Sequence, residues 1–305
     1  MGTPLLTVIL PSYNAWPYVK EAVDSILAQT FKDLSIIIIN DGSTDASADY
    51  FRTLSDPRIR LIEQDNLGVV VSFNKALQSV DTEFVARMDA DDRCHPEKYE
   101  LQVRYLKDHP KCVLVGTSAM HLSADGQREG WPVHMPTKNN LIIQAMLRRR
   151  SALINPTFLA RTAAIKEVGG YHTWPAEDYE LFFNMGLKGE LANLPDILYS
   201  IRLHTNSVTA KNLIKPQSQY EVIRRKYASI YKEKYPQNKY QEKFFSRILL
   251  SFDIAAVVLY RAGITKLLNQ QFISGYLSLF GAMLLSPART WLYVHRKWKA
   301  LQTQS

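Results

Sequence analysis

Short apolar runs alternate with amphipathic stretches over the first hundred positions. "LLTVIL" (5–10) and the β-branched "LSIIIIN" (34–40) are continuous apolar runs, the pattern of strands covered on both faces of a parallel sheet. Between them Val19, Ala22, Val23, Ile26 and Leu27 recur at helical spacing. "RIRLIEQ" (58–64) and "EFVARMD" (83–89) predict two further strands, with helices over 44–54 and about 69–79. This alternation predicts an α/β fold, an open and mostly parallel sheet flanked by helices, with ligands at the carboxyl ends of the strands. Further on, "CVLVGTSAMHL" reads as a strand, followed by a loop holding Gly126 and Gly130 and a helix near 138–149. "NPTFLAR" (155–161) predicts a short strand, followed by a helix stopped by Gly169-Gly170. "AEDYELFFNMGLKG" (176–189) predicts an amphipathic helix, and 192–204 a final strand or pair of strands.

Charge divides the 305-residue chain unevenly. Residues 1–210 hold 21 Lys+Arg and 25 Asp+Glu, whereas 211–305 hold 16 and 4, so the net charge of +8 belongs to the C-terminal third. Such a segment suits an anionic surface. Cys94 and Cys112 are too few for a disulfide framework and lack metal-pair spacing. The N-terminus shows neither a basic n-region nor a cleavage site and reads as the first strand of a fold, with a cytoplasmic setting expected.

Polar residues collect after the strands: Ser12-Tyr13-Asn14, then Asn40-Asp41-Gly42-Ser43-Thr44-Asp45, then Asp89-Ala90-Asp91-Asp92. Turn chemistry accounts for any one of these loops, with Ser43 or Thr44 as a helix N-cap and Asp92 or Cys94 ahead of a helix begun near Pro96. Three on one edge point to a site. Asp89 and Asp91 suit a hard divalent cation, and Glu177-Asp178 suits either a helix start or a catalytic acid pair.

In order and spacing, "TVILPSYNAWPYVKEAVDSILAQTF", "IIIINDGSTD", "DNLGVVVSFNKAL", "ARMDADD", "GGYHTWPAEDYELFFNM" and "YSIRLHTNSVT" resemble the family 2 glycosyltransferases, inverting enzymes of the GT-A fold. The resemblance covers about 5–210 and implies a catalytic domain there, with 211–305 as a basic, amphipathic helical region. It implies a nucleotide-diphosphate sugar as donor, a UDP-sugar favoured, and Mn2+ or Mg2+ as cofactor. Asp89-Ala90-Asp91 then looks like the DxD motif, with Asp91 on the metal and Asp89 near the ribose as well as the metal. Asp41 and Tyr13 take the donor base; Pro11, Ser12, Asn66, Gly68 and Asn74 line the same subsite. Asp178 is the implied general base, oriented by Glu177, and His204 an implied metal ligand. Trp174, just before the acid pair, is expected to be either a platform for the acceptor sugar or a packing residue. The QxxRW signature of processive synthases is absent, which implies single-sugar transfer.

Two rivals are weaker. A sugar nucleotidyltransferase should carry a Gly-rich basic loop where "LPSYNAWPY" stands, and a silent nucleotide- or glycan-binding module should have lost the acid pair. Nucleic acid is not expected as a partner, since no recognition motif accompanies the basic tail. "FFSRILLSFDIAAVVLYRAG" (244–263) and "FISGYLSLFGAMLLSP" (272–287) are apolar but too broken or short to span a bilayer, and "ARTWLYVHRKWK" mixes aromatics with cations. The expectation is peripheral attachment to the inner face of the cytoplasmic membrane near a glycan or lipid-linked acceptor, with a homo-oligomer interface as the competing use.

Overall fold

In the computed structural model, which describes residues 2–148, 152–172, 176–204, 207, 217–234, 259 and 262–286, the apolar runs form the centre of a nine-stranded sheet. β1 (Leu6–Ser12) and β2 (Leu34–Asp41) pair in parallel, Ser12 opposite Asn40. β3 (Ile59–Gln64) continues the parallel set beyond β2, and β4 (Phe84–Arg87) joins the other side of β1. Val8, Ile9, Leu10 and Ile36 to Ile39 are at most 5% exposed, so both faces of these strands are covered. That coverage is why they read as unbroken apolar runs rather than alternating ones. The crossovers are α1 (Tyr18–Leu27), α2 (Ser47–Arg52) and α3 (Val69–Gln78); α1 buries the Val19, Ala22, Val23 and Ile26 face.

Past β4 the strand direction alternates. β8 (Leu159–Arg161) runs antiparallel to β4, β6 (Cys112–Ser123) antiparallel to β8, and the two-residue β5 (Arg93–Cys94) antiparallel to β9 (Glu190–Leu203). The order is β3-β2-β1-β4-β8-β6-β9-β5, and β7 (Glu129–Val133) pairs with β6. The intervening helices are α4 (Lys98–Asp108), α5 (Asn139–Leu147), α6 (Thr162–Glu167) and α7 (Glu177–Lys188).

Four local expectations are corrected. The segment holding Gly130 is strand β7, not loop. The expected strand at 155–161 opens as a 3-10 turn, Asn155–Thr157. Neither Ser43 nor Thr44 caps α2, which begins after Ala46 with no side-chain cap. Asp92 does not start a helix either: α4 begins at Lys98, after Glu97.

The chain groups into two compact units, Met1–Ala119 with His134–Ser200 and Ser218–Lys234, and Met120–Val133 with Ile201–Gln217 and Tyr235–Ser305. This grouping differs from a boundary at 210. Most of α8 (Gln217–Lys234) belongs with the first unit, where Tyr227 stacks on Phe183 at 4.8 Å and Lys226 pairs with Glu180 at 3.1 Å. In the second unit, a helical stretch at 262–268 and α9 (Phe272–Leu285) meet around Ile264 and Ala282, with Trp131, Leu203 and Leu279 packed against them. Cys94 and Cys112 are buried and free. Trp174, most of 244–263 and the basic-aromatic stretch 288–299 lie outside the described residues.

Candidate active site

Because β1 to β4 run parallel, Ser12, Asp41, Gln64 and Arg87 end at one edge of the sheet. Asn14, at φ 48, turns the chain there. Its Oδ1 accepts the Thr44 N–H at 2.8 Å, and its own N–H is donated to Ser43 Oγ at 3.1 Å. Asp45 accepts the Trp16 N–H at 2.9 Å, and Ser47 Oγ the Ala15 N–H at 3.2 Å. Ser43, expected as a helix cap, therefore helps Asn14, Asp45 and Ser47 tie two strand-end loops together. Asp41, 4% exposed, binds a third loop: it accepts from Leu67 N and Gly68 N at 2.9 Å and from Gln64 Nε2 at 2.7 Å. Gly42, at φ 75, is required for this approach, since a Cβ there would stand 2.7 Å from Asn66 N. Tyr13 stays 51% exposed beside half-buried Pro11, and Asn66 is exposed. Ser12 is buried, and its hydroxyl has no hydrogen-bond partner among the described residues.

Asn74 faces elsewhere. Its Nδ2 donates to the Tyr171 carbonyl at 2.7 Å and its Oδ1 accepts the Tyr171 N–H at 3.0 Å, so the amide clamps the segment leading to the acid pair. Gly170, at φ 71, makes room for it, because a Cβ would collide with Asn74 Oδ1.

The acidic turn is held by a buried cation. Arg87, 6% exposed, donates from Nε to Asp89 Oδ1 and from Nη1 to the Tyr171 hydroxyl, each at 2.9 Å. Tyr171 donates in turn to Asn155 Oδ1 at 2.6 Å, and the Tyr199 hydroxyl accepts the Asp89 N–H at 3.3 Å. Burial raises the proton affinity of Asp89; Arg87 opposes the rise, while Asp91 and Asp178 add to it. Burial alone would lower the Arg87 pKa, but the negative charge of Asp89, the hydrogen bond to the Tyr171 hydroxyl and the charge of Glu177 outweigh it and hold the guanidinium well above its ordinary value. Lys98 is fully buried, its Nζ 4.4 Å from the Tyr99 ring centre and 5.4 Å from that of Tyr199. The ammonium has no hydrogen-bond acceptor among the described residues, and burial brings its pKa down to about 8 against the pull of Cys94 and Asp89.

Glu177, 5% exposed, and Asp178 open α7, where Asp178 Oδ1 accepts the Tyr179 N–H at 2.7 Å. The field of Asp178 acts on Asp89 and on the Tyr171 hydroxyl, and that of Glu177 on Arg87. Asp89 and both members of the acid pair thus act on one Arg–Tyr pair. His204 follows β9, is buried, and belongs to the second unit. Sequence reasoning missed Arg87, Tyr171, Asn155, Lys98 and Tyr199. The one local signal was a charged residue, Arg87, inside an otherwise apolar strand.

Among the described residues no group of three His, Cys, Asp or Glu side chains is placed to hold a metal ion. Mg2+ at phosphate-handling sites commonly takes one or two carboxylates and fills its shell from substrate phosphates and water. The oxygen donors of Asp89 and Asp91 fit a cation that arrives with a diphosphate.

A curled α/β sheet with helices on its faces, loops knitted at its carboxyl edge and carboxylates gathered there define the glycosyltransferases of the GT-A type. The family model described as Glycosyl transferase family 2 matches residues 7–168, and the chain belongs to that family. It is 33% identical over 220 residues to an uncharacterized glycosyltransferase of Haemophilus influenzae, covering 68% of each chain. The amylovoran biosynthesis glycosyltransferase AmsE of Erwinia amylovora is 29% identical over 70% of this chain and 84% of its own. A chondroitin synthase of Pasteurella multocida is 28% identical over 72% of this chain, but the match spans only 23% of that longer protein. Among solved structures, S. aureus TarS 1–349 in complex with UDP-GlcNAc superposes with a TM-score of 0.59 at 15% identity, covering 96% of this chain and 92% of that one. Mannosyltransferase PcManGT from Pyrobaculum calidifontis, in complex with GDP-Man and Mn2+, gives 0.58 at 18% identity over 99% and 86%. At such identities the two structures attest the fold. The expected family, fold class and transferase activity are borne out.

Proposed function

We propose that the protein moves one sugar from a nucleotide-diphosphate sugar, a UDP-sugar foremost, to a hydroxyl of a glycan or lipid-linked acceptor, with inversion. The observation that carries this reading is that Asp91 and Asp178 both act electrostatically on Asp89, which Arg87 holds while bonded to the Tyr171 hydroxyl. In it Asp178 takes the proton of the acceptor hydroxyl as that oxygen attacks the anomeric carbon. The bond from that carbon to the diphosphate breaks in the same displacement, and the nucleoside diphosphate leaves with the electron pair. Glu177 orients Asp178. Tyr13 and Asp41 receive the base, Pro11, Ser12, Asn66 and Gly68 line its subsite, and Trp174 supports the acceptor. Asn74 acts behind this subsite through its clamp on Tyr171. Asp91 and Asp89 would hold Mg2+ or Mn2+, which when bound neutralises charge on the leaving diphosphate; His204, expected as a further ligand, belongs to the second unit and is not counted in that set. UDP-GlcNAc and GDP-Man in the structural neighbours support a nucleotide-sugar donor, and the chondroitin and amylovoran relatives support cell-surface polysaccharide or glycolipid synthesis. A lipid-linked acceptor would bring the enzyme to the inner face of the cytoplasmic membrane.

A panel of nucleotide sugars, tested for nucleoside diphosphate release with and without Mn2+, checks the donor. One sugar nucleotide should respond, and only with metal present. Asp178→Asn should lose about 10²- to 10⁴-fold in kcat while still being stabilised thermally by the donor. Full turnover in that variant would remove the base assignment, and indifference to the entire panel would remove the donor reading.

A further inference from the structure

The second unit carries an apolar surface that the transferase chemistry does not use. One side of α9 is spoken for: Ala282 and Leu279 pack with Ile264 and Leu259, and Gly275 comes close to Leu267. Asn269, in the turn before α9, fixes the pair of helices by donating to the Leu203 carbonyl at 3.0 Å and accepting the Ala124 N–H at 2.9 Å. The opposite side bears Ile273, Tyr276, Leu277, Phe280, Met283 and Leu284, each 53–82% exposed. Their spacing of i, i+3, i+4, i+7, i+10 and i+11 makes one stripe about 16 Å long. No charged residue occurs from Phe272 to Leu285. The sequence that follows, 287–305, has four Arg or Lys, no Asp or Glu, and the aromatics Trp291, Tyr293 and Trp298.

We propose that this stripe is a docking face for an anionic lipid surface, with α9 lying in the plane of the interface. The 14 residues of α9 rise only about 21 Å, short of the ~30 Å hydrocarbon core, so the helix can lie on a bilayer but not cross it. A second copy of the chain is the poorer occupant, because a stable dimer interface takes roughly 20–30 residues a side and this stripe offers six. The basic, aromatic sequence after α9 supplies the matching charge for acidic headgroups. The inference deepens the proposed lipid-linked acceptor, yet it stands on α9 itself, and lipid binding is measured without any sugar donor.

The test is co-sedimentation of the full chain with phosphatidylcholine vesicles, with and without phosphatidylglycerol. The protein should partition onto the anionic vesicles at least about tenfold more strongly than onto the neutral ones. Leu277→Glu with Phe280→Glu should weaken that partition by at least about tenfold while leaving the melting temperature within a few degrees. Should the charged pair fail to fold, Leu277→Cys bearing a nitroxide provides the second readout, since vesicles should shield the label from a water-soluble relaxant. Failure to bind anionic vesicles, or a label equally accessible with and without them, would overturn the proposal. So would a dimer in light scattering that the same two substitutions take apart.

Discussion

Replacing Arg87 with methionine removes the guanidinium that holds Asp89 in the acidic turn. In the native protein Arg87 is 6% exposed and meets Asp89 and the Tyr171 hydroxyl at 2.9 Å. Methionine fills much of the same space, so the change is chiefly electrostatic: Asp89 would face Asp91 and Asp178 without its hydrogen-bonded counter-charge. Removing one partner of a buried ion pair costs about 3–5 kcal/mol. Asp89 keeps 31% of its side-chain exposure, which favours the lower end, about 3 kcal/mol. For a domain of this size that is a fall in melting temperature of roughly 6–12 °C. Calorimetry of Arg87→Met, Asp89→Asn and the double variant closes a mutant cycle. The double variant should regain most of the loss, because a neutral amide at 89 no longer needs the cation. If Arg87→Met costs the same with Asp or Asn at 89, the pair carries no coupling and Arg87 does not hold the turn.

The pH dependence of Lys98 gives a second prediction. Its folded pKa, about 8, lies below the ordinary 10.5, so its contribution to stability is complete above pH 10.5 and is lost as pH falls through 8. Lys98→Met should therefore be more stable than wild type at pH 7 by about 2 kcal/mol, the cost of lowering the pKa from 10.5 to about 8 less the cation–π attraction of Tyr99 and Tyr199, and the gain should vanish by about pH 10.5. A gain that ignored pH in urea titrations would contradict the buried-charge account. Asn74→Ala should lower kcat by about tenfold or more with little change in donor affinity, since it loosens the segment ahead of Asp178 rather than the loops proposed to take the donor. A rise in donor Kd at unchanged kcat would return Asn74 to the nucleotide subsite.

What could be read ahead of the structure followed from short-range physics. The Ile36–Ile39 run announces a strand because it is covered on both faces, and the α1 face announces itself by its 3.6-residue period. β5 is two residues long, and β7 carries Gly130 and Pro132, so neither leaves a periodic trace. The same limit applies at the site. The carboxylates of 89, 91 and 178 were legible as charged turn and helix-start positions. What surrounds them was not, because Arg87 reaches Tyr171 across 84 residues of chain and the Asp89 N–H reaches Tyr199 across 110. Ser43, Asn14 and Asp45 were visible as turn formers, but their bonds run between loops about thirty residues apart.

The clamp between Asn74 and Tyr171 has a consequence for how the enzyme comes into being. It joins positions 97 residues apart, and the loop it closes contains the β4–β8 pairing. Closing a loop of that length costs entropy before any contact repays it, so the step falls late in folding. Helices and the first parallel strands can form on a nascent chain while the acid pair is still unplaced. The segment ahead of Asp178 is therefore held in place only when both ends of that long loop have been made.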